Sequence, residues 1–594
     1  MAEATHPLTI PDALADAAQR FDSRPAYIEG SHSVSWRELW RLARETAAGL
    51  VSLGLQKGDR VAICAENCID WIVAYHAVAL AGCTSVLVYF ELRAGEIAEQ
   101  VSRPGSRFLI ASQSVLDKLP DTIPGVERMI VVGGGDNSSH VAFAALASRA
   151  TSADLEAVAA RPPSPDDLAA IIYTSGTTGG AKGVMLSHRN FMANGRSVTE
   201  AIAFTADDRV LLVLPLHHAM PFIASVVLPA LVGACFVIEN DIRRIRDRLQ
   251  EHRPTIFFGV PALYELMYRN LLARAESEGR LKMLQAWQKR LGLIKRLTGL
   301  NLAPLAFRPI HKALGGRLRF LFCGGAALNP QVVRDFAALG LPLLQGWGMT
   351  EASPVIAVQR FSRPRFLLTN YYENHAGSVG QPVPGVEVRL IDVPEKEIRV
   401  ATSGEGEVIT RGENVFVGYW QAEAETQAAK MDGWLRTGDL GRIDKDGNIY
   451  LTGRSKYIIV LDSGEKVHPD EVEAKLSQSE LVQDVCVLGR RGRDKVQVAA
   501  LIYPNADAVK GVADDRSLNL TDDAVRRLVT SEVERLGREL AAYKRVSRIE
   551  LTDTPLPKTP LQKIARGRIK DEYSFDLAAW LASSVPPTPS HQAD

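Results

Sequence analysis

Short apolar runs recur along this chain, separated mostly by stretches with helical spacing, and no other feature restricts the fold as strongly. Runs at 61–64, 85–89, 170–173, 210–214, 235–239, 255–259, 318–322 and 342–345 read as strands. Strands buried on both faces show continuous apolar character, whereas half-exposed strands alternate. Helical patterns lie between them. One covers 69–81, and another runs through Leu53 behind Ser35 and Glu38, which have capping-box spacing. A βαβα rhythm of this kind implies an α/β fold of largely parallel sheets with helices on both faces.

At 594 residues the chain is too long for one ordinary core. After Gly377, shorter β segments with many glycines suggest a small barrel-like part. Beyond Gly453, helical patterns at 470–476 and 522–540 with strands between them suggest a smaller α+β domain. The expected division is a large N-terminal domain over 1–453, a C-terminal domain over 454–575 and a disordered Pro- and Ser-rich tail over 576–594.

Charge narrows the class of function. Lys plus Arg (69) equals Asp plus Glu (69), so the global electrostatic footprint of a nucleic-acid binder is missing. The six cysteines lack the paired spacing of a zinc site, and few, scattered thiols suit a reducing compartment. Residues 1–21 lack a basic start followed by an apolar run, so no secretory signal is expected. Pro215, His217, His218, Pro221 and Pro229 interrupt the most apolar region, 210–238, which reads as a strand, a turn and a buried helix rather than a membrane span. The expected location is cytoplasmic. One stretch, 274–317, is basic and amphipathic, which suits either a solvated surface helix or peripheral contact with an anionic membrane.

The densest local signal is IIYTSGTTGGAKGVMLSH, residues 171–188. Thr174, Ser175, Thr177 and Thr178 are interleaved with Gly176, Gly179 and Gly180, and Lys182 follows. Glycines permit tight turns in which successive N–H groups converge on one anion; hydroxyls add donors and a lysine adds a point charge. The ordinary P-loop needs Gly-Lys-Ser/Thr opening directly into a helix. Here Ala181 precedes the lysine, Gly183 follows it, and 184–186 reads as a strand, with a helix only after Ser187. The loop is therefore expected to join two strands.

This segment closely resembles the signature of the adenylate-forming (AMP-binding) superfamily, which holds acyl-CoA synthetases, peptide-synthetase adenylation domains and beetle luciferases. Further motifs follow in that family's order: FCGGAAL (322–328), QGWGMTE (345–351), GWLRTGDLGRID (433–444), LTGRSKYIIV (451–460), GEKVHPDEVE (464–473) and LPKTPLQKIARGRI (556–569). The resemblance covers roughly residues 20 to 570. It implies that Gly325 and Ala326 lie against adenine, that Trp347 offers a purine face, that Thr350 donates to phosphate and that Glu351 holds Mg²⁺. It also implies that Asp439, in a tight Gly-flanked turn, grips the ribose with Arg454 behind it. Lys456 matches the hinge of the mobile C-terminal domain, and Lys563 the lysine that serves adenylation. Gln562 departs from the glycine usual before that lysine.

The implied activity joins a carboxylic acid to coenzyme A by way of an acyl-adenylate, with ATP and Mg²⁺. His218, in LPLHHAMPF, matches a position lining the route from acyl pocket to thiol, with His217 extra. Ile223 stands where amino-acid-activating relatives carry Asp, which leaves a substrate ammonium without a partner. A medium- or long-chain fatty acid is the favoured substrate. An aromatic or polycyclic acid, an acyl-carrier-protein acceptor, a luciferase-type monooxygenase and a catalytically silent nucleotide binder are the alternatives.

Overall fold

The computed structural model describes residues 7–135, 140–174, 181–298, 300–361, 375–462, 465–491, 496–515, 522–559, 564–566 and 568–569. The chain divides into two compact units, the first reaching Leu451 and the second beginning at Thr452. The tail 576–594, expected to be disordered, lies outside the described residues.

The first unit holds two large sheets. One has nine strands in the order Gln381–Pro382, Val355–Val358, Leu343–Gly348, Phe320–Cys323, Ile256–Gly259, Arg209–Leu212, Cys235–Ile238, Pro25–Glu29 and His32–Ser35. From Leu343–Gly348 to Pro25–Glu29 every pairing is parallel, and antiparallel strands close both edges. The second has eight: Gly418–Tyr419, Lys182–Ser187, Leu168–Thr174, Thr84–Leu87, Arg60–Cys64, Ser106–Ser112, Arg128–Val132 and Val141–Ala142. Six of these run parallel, and Lys182–Ser187 and Gly418–Tyr419 add antiparallel at one edge. Three central strands of the first sheet, Cys235–Ile238, Ile256–Gly259 and Phe320–Cys323, are buried at every position, which is why they read as unbroken apolar runs.

The helix Trp36–Ser52 starts where the spacing predicts, with Ser35 Oγ accepting from the Glu38 N–H at 3.2 Å. In the apolar region 210–238 a strand is followed by the helix Ala219–Phe222, one π-helical turn Ile223–Val227 and the helix Leu228–Val232. Pro229 has no N–H to return to the preceding turn, so the helix widens just ahead of it. The basic stretch is several helices rather than one. Pro261–Ser277 ends before Gly279, whose φ of 66° turns the chain into Leu281–Thr298.

A five-stranded antiparallel sheet follows: Glu387–Ile391, Gly406–Arg411, Trp434–Ile443 and Lys430–Met431, with Ile449–Arg454 also paired to Trp434–Ile443. The second unit contains the hairpin Ile459–Val460 with Lys466–Val467. It also contains a three-stranded sheet of Val482–Arg491, Val496–Pro504 and Arg548–Leu551. Helices Pro469–Leu476 and Asp522–Gly537 supply Val472, Leu476, Val529 and Val533 to its core. Among the described residues no helix is long and apolar enough to cross a membrane.

Candidate active site

Parallel sheets present ligand-binding loops at the carboxyl ends of their strands. In the nine-stranded sheet, His217 and His218 follow Arg209–Leu212, while Gly325 and Ala326 follow Phe320–Cys323. Trp347 closes Leu343–Gly348, with Thr350 and Glu351 in the 3₁₀ turn just after it. The expected residues of three separate motifs thus share one edge of one sheet.

Thr174 ends the strand Leu168–Thr174 and stands opposite Lys182, the first residue of the next. The loop therefore joins two antiparallel strands, as its composition predicts, and the helix His188–Ile202 begins only after the Ser187 cap. Ser175, Gly176, Thr177 and Thr178 lie outside the described residues. Lys182 Nζ sits 5.2 Å from the centroid of the Tyr419 ring. Among the described residues no carboxylate pairs with Lys182.

Tyr419 is the residue that motif reading missed. It lies on the two-residue strand beside Lys182–Ser187, with Tyr419 opposite Val184. Its hydroxyl donates to Glu351 Oε1 at 2.7 Å. Burial, the Glu351 charge and that hydrogen bond all push the phenol upward, so it stays a proton donor. Lys182, Tyr419 and Glu351 form one chain from a cation through a ring to a buried carboxylate. The only sequence cue was GYW ahead of an acid-rich helix.

Trp347 and Asp439 form the second pair. The indole Nε1–H donates to Asp439 Oδ2 at 2.9 Å, and both residues are buried. Asp439 is not in a turn, contrary to the reading of its glycine flanks. It lies within the strand Trp434–Ile443, where the register against Gly406–Arg411 shifts between Glu407 and Ile409. Gly438, at φ 69°, lets the strand bulge there and re-aims the carboxylate without ending the strand. Thr437 Oγ1 bonds the Val408 carbonyl at 2.6 Å and accepts from the Asp439 N–H at 3.1 Å. A second glycine is fixed by crowding. A side chain at Gly348 would put its first carbon 1.8 Å from the Pro354 carbonyl oxygen, so the turn carrying Glu351 closes only on glycine.

His217 stacks on Tyr89 with centroids 4.4 Å apart and planes at 24°, and its own centroid lies 4.0 Å from that of His218. Burial, then the neighbouring His218, hold His217 far below the ordinary imidazole range, so it is neutral. An apolar cavity lies against the π-helical turn, lined by Leu212, Leu214, Pro221, Ala224, Phe236 and Phe258. Ile223 is buried in that turn.

Arg454 and Lys456 belong to the second unit, where Lys456 Nζ sits 4.7 Å from the Tyr457 ring centroid. Lys563 and Gln562 lie outside the described residues, but the chain on both sides of 560–563 is tied down. Lys558 and Ile564 form an antiparallel bridge, and Lys558 Nζ pairs with the buried Asp484 at 2.6 Å. Arg566 is itself buried. It donates to the Val487 carbonyl at 2.8 Å and to Asp470 at 2.9 Å, and it pairs closely with Glu473. Burial pushes Glu473 up to about 8 against the pull of Arg566.

The fold is that of a two-unit α/β enzyme, with residues of three motifs at the carboxyl edge of its nine-stranded sheet. The chain belongs to the AMP-binding enzyme family, whose model matches residues 14–420, and the model of the AMP-binding enzyme C-terminal domain matches 456–583. It is 28% identical to the long-chain-fatty-acid–CoA ligase FadD15 of Mycobacterium bovis, over 90% of each chain. It is 30% identical to the peroxisomal long chain acyl-CoA synthetase 7 of Arabidopsis thaliana, over 93% of this chain and 83% of that one. Among solved structures, the anthranilate CoA ligase AuaEII in complex with anthranoyl-AMP superposes with a TM-score of 0.74 at 22% identity, covering 97% and 98%. The o-succinylbenzoate CoA synthetase of Bacillus subtilis, solved with its acyl-adenylate, gives 0.70 at 22%, covering 94% and 98%.

Proposed function

We propose that this protein is an ATP-dependent carboxylate–CoA ligase that makes an acyl-adenylate and pyrophosphate, then an acyl-CoA thioester and AMP. The observation that carries the reading is the Lys182–Tyr419–Glu351 chain, which links the Thr174–Lys182 hairpin of the eight-stranded sheet to the end of the nine-stranded-sheet strand whose Trp347 holds Asp439.

Adenylation brings a carboxylate onto the α-phosphate of ATP, so two anions must meet, and the protein's help is positional and electrostatic. Lys182 supplies positive charge to the phosphates. Glu351, a buried carboxylate steadied by the Tyr419 hydroxyl, fits Mg²⁺, a hard cation that takes oxygen ligands. When bound, Mg²⁺ neutralises phosphate charge as the pyrophosphate departs. Asp439, aimed by the Trp347 N–H, accepts from the ribose hydroxyls. Ser175, Gly176, Thr177, Thr178 and Thr350 hold the phosphates, Gly325 and Ala326 lie along the adenine, and Arg454 supports the ribose contact. Lys563 serves the first half-reaction only. His218 lies on the path of the incoming thiol, and the neutral His217–Tyr89 stack fixes that corner.

The acid is a medium- or long-chain fatty acid. The buried Ile223 and the apolar side chains of the π-helical turn leave an ammonium group without a partner. The named ligases of M. bovis and A. thaliana act on long-chain fatty acids, which supports the same choice. The test is AMP release from a panel of saturated, aromatic and amino acids, with coenzyme A, with acyl carrier protein and with neither thiol. Turnover of saturated acids that requires coenzyme A is expected. Turnover only with aromatic acids, or only with the carrier protein, would overturn it.

A further inference from the structure

The helix Leu281–Thr298 carries two apolar stripes, and the fold uses one. Leu284 and Leu291 point inward and pack with Ala303, Phe307 and Leu339. About a quarter-turn round the helix from these, Met283, Trp287, Ile294 and Leu297 follow one another at spacings of four, seven and three residues, which puts them on a single face. All four are exposed, Leu297 by 75% and Trp287 by 45%. A solvated surface helix would turn charged and polar groups outward there.

The charge around this face has one sign. From Gly279 to Arg334 the chain has four lysines and seven arginines and not one Asp or Glu, in a protein whose overall charges balance. Arg319 is committed to Asp208, and Arg280 pairs with Glu278. Lys282, Lys289 and Arg290 are exposed on the helix itself. Arg290 lies within the apolar stripe, where its aliphatic stem can follow the surface while its head reaches outward.

We propose that this face docks on an anionic phospholipid bilayer, with Trp287 and Leu297 entering the headgroup–acyl boundary and Lys282, Lys289 and Arg290 meeting lipid phosphates. Large apolar side chains ringed by cations match a surface that is apolar just below a layer of negative charge. A second copy of this chain is a poor occupant, because a two-fold contact would set the same cations against each other. The inference does not depend on which acid the enzyme activates.

The test is flotation of the full chain with two kinds of vesicle: phosphatidylcholine alone, and phosphatidylcholine with phosphatidylglycerol at about three to one. Wild type is expected to bind the anionic vesicles about tenfold or more tightly than the neutral ones, and the preference should shrink in high salt. The double variant Trp287→Ser/Leu297→Ser should lose about tenfold in binding. Lys282→Glu/Lys289→Glu should abolish the anionic preference. Both variants alter exposed positions, so their unfolding temperatures should stay within about 2 °C of wild type. Equal binding to both vesicles, no binding at all, or variants that bind like wild type would overturn the proposal. So would a lipid-free dimer that the same substitutions convert to monomer.

Discussion

Lys182 and Arg566 are both cations set beside a tyrosine ring, yet the chain holds them by opposite means. Lys182 begins a strand whose register against Leu168–Thr174 and Gly418–Tyr419 decides where it stands, and its ammonium rests on a ring without an acid partner among the described residues. Arg566 lies 5.3 Å from the Tyr457 ring centroid, buried, with Asp470, Glu473 and the Val487 carbonyl taking up its donors. The first charge is positioned through the backbone, and the second is spent on its neighbours. Buried ion pairs break expensively, whereas a backbone-positioned cation can be altered without unfolding the protein.

The largest effect that would break this contrast belongs to Arg566. Replacing Arg566 with Met leaves Asp470 without its counter-ion and the buried Glu473 and Val487 carbonyl without their donor, and should cost about 3–5 kcal/mol, read by denaturant unfolding of the full chain. Lys182→Met should leave the same unfolding curve nearly unchanged, and a comparable loss would erase the distinction. Next comes Lys563→Met, expected to slow adenylation by about 10²–10³-fold while transfer from a preformed acyl-adenylate changes less than about threefold. Pyrophosphate exchange and acyl-CoA formation measure the two halves, and equal losses would count against the assigned role. Tyr419→Phe removes only the hydroxyl bond to Glu351 and should raise the Mg²⁺ concentration needed for half-maximal rate by about tenfold with unfolding unaffected.

The last effect concerns pH. His76 and His188 are buried in the first unit, and burial lowers them to about 3 and about 4. Their folded values lie below the unfolded one, so the stability they confer is complete above pH of about 6.5 and is lost as pH falls towards those values. Each should contribute on the order of 1 kcal/mol of loss per pH unit in that window. Glu473 works the other way. Its folded value is raised, so its contribution is present at low pH and lost as pH rises through about 8. Thermal unfolding from about pH 4 to pH 9, compared between wild type and His76→Leu, should show the variant with the shallower acid limb.

The parallel strands were legible because a doubly covered strand has no polar face to break its apolar run, and the strand pair around 175–181 because apolar residues 184–186, not a helix, follow the glycines. Tyr419 was not legible. Its partner Glu351 is 68 residues away and meets it only because a two-residue strand joins the sheet edge beside Lys182. Asp439 was assigned to a turn since Gly-Asp has the same local preference in a turn and in a bulge, and only the pairing with Gly406–Arg411 separates them. Nothing in the basic segment around Arg566 marks it as buried. Its burial is a property of the Val482–Arg491 strand and the Pro469–Leu476 helix, not of its sequence neighbours.

The strand Gly418–Tyr419 offers only two residues of pairing to its neighbour, yet the ring under Lys182 and the donor to Glu351 both hang from it. A short peptide mimic that took its place on that rim would remove the ring beside Lys182 and the donor to Glu351 in one stroke. Such an inhibitor would need no resemblance to ATP, and mutations that strengthen nucleotide affinity would give no escape from it.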